Sequence, residues 1–193
     1  MFWKRNEFKP DRTDGGTLKK LYLTSAQRKN LLKWVLVGVA LVVLSLLQDV
    51  VLCQVSISGA TFDLVACGIL LFAMFFEPET TVVFTLVSAT LYYFAGTSPG
   101  AFSIVLLTGL GTFLCIFRQS YLQRKFSAVL LCAGVGMLVY ELMVFAIGWF
   151  LGSTTSDRFG VFALCGILSA AVMPALYPVF LAIRNLGGET WKE

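Results

Sequence analysis

The chain has no histidine among its 193 residues. That absence excludes Ser-His-Asp and Cys-His catalysis, HExxH zinc chemistry and histidine-ligated haem within this chain. Charge is scarce as well. Lys, Arg, Asp and Glu make up 13% of the residues, where a soluble domain carries about a quarter. With 58% hydrophobic residues and a mean hydropathy of +0.81, there is too little polar surface to cover a water-soluble body. The five cysteines are odd in number and form no CxxC pair. Cys67, Cys115, Cys132 and Cys165 lie in apolar runs, where free cysteine acts as a small hydrophobe. Only Cys53, near the outer end of the first apolar segment, is placed to be an exposed thiol. No Ala-x-Ala cleavage site follows that segment, so it reads as a retained anchor.

What is present divides sharply. Residues 1–33 hold nine Lys and Arg against three Asp and Glu, and the rest of the chain is almost continuously apolar. The first part reads as a basic cytosolic tail and stalk. The second, 34–187, reads as one all-α membrane domain, and 188–193 as a short cytosolic tail. A membrane span needs about 20 apolar residues, and six segments qualify or come close: 34–53, 61–76, 80–96, 100–117, 127–151 and 159–183. Thr24-Ser25-Ala26-Gln27 fits a capping box, so the first helix has a signal to begin before residue 34. The second and third segments are short. They read as two short spans with Glu77-Pro78-Glu79 at the cytosolic face, because a re-entrant hairpin would bury those carboxylates in hydrocarbon. With both termini inside, fourteen Lys and Arg fall on the cytosolic side and Arg158 alone falls outside, as the positive-inside rule requires.

Ionisable residues at membrane depth are the first candidates for function. Glu141 lies near the middle of the fifth segment. It reads either as a proton, substrate or partner contact, or as a protonated carboxyl facing the bundle and bonded to a neighbouring hydroxyl or free carbonyl. Gln48 and Asp49 interrupt the end of the first segment, where an interfacial acid at the outer surface is the simpler reading. Asp63 opens the second segment and suits a helix cap, where negative charge favours the dipole. Pro174 and Pro178 sit four apart in the sixth segment and leave the carbonyls of Ala170 and Pro174 without their usual amide donors, which predicts a kink. Gly109 with Gly111, Gly134 with Gly136, Gly148 with Gly152, and Gly166 with Ala170 are candidates for close helix packing. The basic tail suits anionic lipid or a cytosolic protein, and nucleic acid is a poor match.

The order of these features resembles the MreD family, small membrane proteins of bacterial rod-shape determination, over residues 34–187. Leu46-Leu47-Gln48 resembles the Leu-Gln that ends the family's first helix. Ile57-Ser58-Gly59-Ala60-Thr61-Phe62-Asp63-Leu64 resembles its I-x-G-x-x-P-D-L run, with Phe62 in the place of Pro. Gly96-Thr97-Ser98-Pro99-Gly100 resembles its glycine-proline turn, although Tyr92-Tyr93 stand where the family often has an acid. Pro174-Ala175-Leu176-Tyr177-Pro178 resembles its last helix.

The resemblance implies a six-helix fold similar to the substrate-binding subunits of energy-coupling-factor vitamin transporters. It also implies a non-enzymatic role in the bacterial inner membrane without a cofactor. The implied partners are an MreC-like protein, an MreB-like filament, RodA and a class B penicillin-binding protein. A transporter subunit of the related vitamin-uptake fold is the alternative. Those subunits dock through an Ala-x-x-x-Ala pattern, for which the first helix offers only Gly38-x-x-x-Val42 and Ala40-x-x-x-Leu44. A membrane enzyme would need paired acids or metal clusters, and Asp49, Asp63 and Glu141 are spread over three segments.

Overall fold

The computed structural model describes residues 25–54, 56–121 and 126–186. The basic tail before Ser25, together with Arg124, Lys125 and residues 187–193, lies outside the described residues. Among these residues six α-helices follow one another: α1 Ser25–Val50, α2 Leu64–Ala73, α3 Pro78–Phe94, α4 Phe102–Tyr121, α5 Phe126–Phe150 and α6 Phe159–Leu186. Among the described residues the regular structure is helical. A single β-bridge, Ile57 to Ala60, closes a tight turn whose central residues Ser58 and Gly59 have positive φ. That pair of left-handed residues is the geometry of a two-residue hairpin turn, and Gly59 supplies half of it without steric cost.

Among the described residues, four helical stretches are long and apolar enough to cross a membrane: Leu31–Val50, Phe102–Ser120, Phe126–Phe150 and Ser156–Asn185. Their outward faces, such as Val35, Val39, Val42 and Leu46 on α1, are bare aliphatic surface. Surface of that extent in a monomer needs lipid or another helix against it. α1 begins at Ser25, well ahead of residue 34, and α6 runs unbroken through Pro174 and Pro178.

The second segment differs from its expectation. Where 61–76 reads as a short span, the helix is only Leu64–Ala73, 10 residues, or about 15 Å. The reason is its position. All ten residues are buried, and α2 packs against each of the other five helices. A helix that is apolar all round belongs in a protein interior, and enclosure lets its ends finish early because side chains satisfy the freed backbone. At its start the Ala66 amide donates to Asp63 Oδ1 at 3.0 Å and the Val65 amide to Gln48 Oε1 at 3.0 Å. Beyond its end Thr81 Oγ1 donates to the Ala73 carbonyl at 3.1 Å, and Cys115 Sγ donates to that of Phe76 at 3.2 Å.

The turn after α2 marks one end of the bundle. Phe76 stacks on Trp34 with ring centres 4.9 Å apart, the Lys33 ammonium lies 5.0 Å from the Phe76 ring, and the Arg184 guanidinium lies 5.6 Å from Phe75. Phe72 is at the centre of this aromatic cluster and meets Phe75, Phe76, Phe84 and Phe180 within 6.2 Å. Lys33 and Arg184 are themselves buried. The opposite end carries Gln48, Asp63 and Tyr92.

Glycines divide between contacts and turns. A side chain at Gly111 would meet Thr85 at 2.8 Å, one at Gly136 would run into Leu114, and Gly134 faces Ala170 at 3.6 Å. Gly166 lets α6 lie on Leu138, and its added carbon would stand 3.4 Å from Glu141 Cγ. Three of the candidate packing glycines meet no neighbouring helix among the described residues. Gly109 faces outward with nothing within 4 Å. Gly148 and Gly152 terminate α5: the Gly148 carbonyl accepts from Ser153 and Thr154, and Gly152 turns the chain at φ +70°. Gly109→Ala is therefore expected to leave stability unchanged or raise it by up to about 1 kcal/mol. Gly136→Val, which forces volume against Leu114, is expected to cost about 1–3 kcal/mol. Thermal unfolding of the two detergent-solubilised variants checks the contrast, and equal effects would refute it.

Candidate functional site

The polar residues of the non-aromatic end converge. Asp63 caps α2, with Oδ1 accepting from the Ala66 amide at 3.0 Å. Its other oxygen, Oδ2, accepts from the Tyr92 hydroxyl of α3 at 2.7 Å. The Asp63 amide donates to Ser169 Oγ of α6 at 2.9 Å, and Cys67 Sγ donates to the Ser169 carbonyl at 3.2 Å. Gln48, at the end of α1, holds the Val65 amide. Asp63 thus ties three helices together, its carboxylate joining α2 and α3 and its backbone amide reaching α6, and the Gln48 side chain beside it adds α1. A carboxylate accepting charge-assisted hydrogen bonds is a stronger link than a neutral acceptor.

A cavity of about 290 Å³ opens beside this network. Gln48, Asp63, Tyr92 and Glu141 line it, with Phe62 and Phe162 among its apolar walls and Arg158 also on its lining. Glu141 is 7% exposed and lies near enough to Asp63 for the two carboxyl groups to interact electrostatically. Gly166 is what allows α6 to pass this close to Glu141. A second cavity of about 410 Å³ adjoins the first through the shared Gln48, Thr61, Phe62 and Thr97.

Of the four polar candidates, the structure brings Gln48, Asp63 and Glu141 to one cavity. Asp49 is exposed and lines the adjoining one. Pro174 and Pro178 lie farther along α6, near the aromatic end, where Tyr177 between them meets Phe75 at 5.5 Å. The sequence reading misses Tyr92, Ser169 and Arg158. Tyr92 carries little signal, since Thr90 and Tyr93 offer hydroxyls on the same turn of α3. Ser169 has none, since small hydroxyl residues are common in packed helices. Cys165 lines the cavity together with Thr61, so it is more than an apolar filler.

Chemically the arrangement offers hydrogen-bond acceptors and negative charge in a partly enclosed, partly aromatic space. No family profile, characterised protein or solved structure matches the chain.

Proposed function

We propose that the chain is a six-span protein of the bacterial plasma membrane with both termini in the cytosol, acting as a non-enzymatic scaffold or regulatory subunit of the cell-wall elongation machinery. The observation that supports this reading is where the resembling segments sit. Three stretches that resemble MreD, ending at Gln48, running from Ile57 to Leu64, and spanning Gly96 to Gly100, lie far apart in sequence. All three contribute to one cavity lining, through Gln48, Gly59, Asp63, Thr97 and Pro99. Scattered short likenesses gain weight when they build one spatial feature. A bundle with short connections also suits a subunit that acts through its helix faces and basic tail. Such a subunit would meet an MreC-like protein, an MreB-like filament, RodA and a class B penicillin-binding protein.

The cavity also keeps the second reading in play, a substrate-binding subunit of a vitamin transporter. Mild-detergent affinity purification from a native bacterium separates the two. Recovery of MreC-like or wall-synthase proteins is the expected result. Recovery of ATPase subunits with a coupling protein would overturn the elongation reading in favour of transport.

A further inference from the structure

The two carboxylates of the cavity are not in the same condition. Asp63 receives the Ala66 amide and the Tyr92 hydroxyl. Glu141 is 7% exposed and lines the same cavity, yet among the described residues no hydrogen-bond donor or cation pairs with its carboxyl group. An acidic group enclosed by its neighbours but lining a cavity, with no protein donor on it, is open to a ligand that supplies one. Arg158, the cation lining the cavity, is exposed on the turn before α6.

The surroundings of Glu141 define what would complete it. Phe62, Phe162 and Tyr92 give aromatic faces, and Val144 and Val161 give aliphatic ones. Aromatic faces attract organic cations. A bare metal ion is a poor fit, since among the described residues no three Asp, Glu, Cys or His side chains gather to hold one. The volume, about 290 Å³, falls just below the roughly 300–1,000 Å³ of drug-sized sites, which suits a smaller ligand. A second charge of opposite sign on the ligand would meet Arg158.

We propose that this cavity binds a small zwitterionic amine, with its ammonium group on Glu141 and a phosphate attached to it facing Arg158. Phosphoethanolamine has that chemistry. It is available either as a soluble molecule or as the headgroup of phosphatidylethanolamine, and both present the same ammonium–phosphate pair. Asp63 stays engaged with Tyr92 and α2 and shapes the wall without needing the ligand.

The test uses the full chain in nanodiscs of phosphatidylglycerol alone. O-phosphoethanolamine is titrated in one arm, and phosphatidylethanolamine replaces part of the lipid in the other. At saturation the unfolding temperature is expected to rise by about 5 °C. A rise with the soluble probe assigns a free ligand; a rise only with the lipid assigns a headgroup. Glu141→Gln keeps the shape and is expected to weaken binding at least about tenfold, the loss of one charge-assisted contact. Arg158→Gln is exposed, so folding is not at stake. It is expected to weaken phosphoethanolamine while leaving ethanolamine unchanged. No rise in either arm, an equal rise with inorganic phosphate, or unaltered binding by both variants would overturn the proposal.

Discussion

Phe72→Ala is expected to destabilise the protein by about 3 kcal/mol, near the lower limit for removing a buried phenyl group. Phe72 is fully buried in α2 and touches rings from its own turn, Phe75 and Phe76, from α3 through Phe84 and from α6 through Phe180. In a bilayer the surrounding lipid is as apolar as the side chain, so moving the ring out of water contributes little to helix association. What remains is the loss of close contact around a cavity that the neighbours cannot fill, together with aromatic pairs of about 0.5–1.5 kcal/mol each. Phe94→Ala removes the same group from the end of α3, where the ring is 77% exposed. It is expected to change stability by less than about 0.5 kcal/mol. Reversible denaturation in bicelles measures both, and similar values would remove the aromatic cluster from the account of what holds the bundle together.

The same contrast explains what the sequence conveys about this fold. α1, α4, α5 and α6 are legible because lipid demands a long apolar run and each supplies one. α2 is legible as apolar but not in its extent. Because every face is buried, there is no polar stripe to mark its rotation or its limits. Its ends are fixed by Gln48 and Asp63 at one side and by Thr81 and Cys115 at the other, residues whose partnership depends on the folded arrangement. The site follows the same rule. Gln48, Asp63 and Glu141 stand out because polar groups are rare in such a chain, and rarity locates residues without saying which of them meet. Adjacent Gln48 and Asp49 look equivalent in sequence, but a helical step of about 100° separates them, so that Gln48 lines both cavities and Asp49 only the adjoining one. Tyr92 is hidden for the opposite reason: an aromatic residue in an apolar helix draws no notice, and its carboxylate partner is on another helix.

That partnership carries the other large effect. Asp63→Ala is expected to cost about 3 kcal/mol, from about 1 kcal/mol for the lost α2 cap and about 1–3 kcal/mol for a buried tyrosine hydroxyl left without its acceptor. Asp63→Asn should be far milder. Its carbonyl oxygen can still accept from the Ala66 amide, and the Tyr92 hydroxyl can turn to accept from the new amide group. Tyr92→Phe alone removes the donor and is expected to cost about 1–2 kcal/mol. In the Asp63→Ala background it should cost almost nothing, because the hydroxyl it deletes is by then the unsatisfied group. The resulting coupling, about 1–2 kcal/mol by double-mutant cycle, tests whether Asp63 and Tyr92 act as one unit. Strictly additive losses would mean that Asp63 serves α2 alone. The link matters beyond stability. It fixes the end of α3 against the start of α2, and those two elements form one side of the cavity that Glu141 faces. An Asp63→Ala chain that still folds should therefore lose the shape of that cavity before it loses the helices, with circular dichroism unchanged while phosphoethanolamine binding falls.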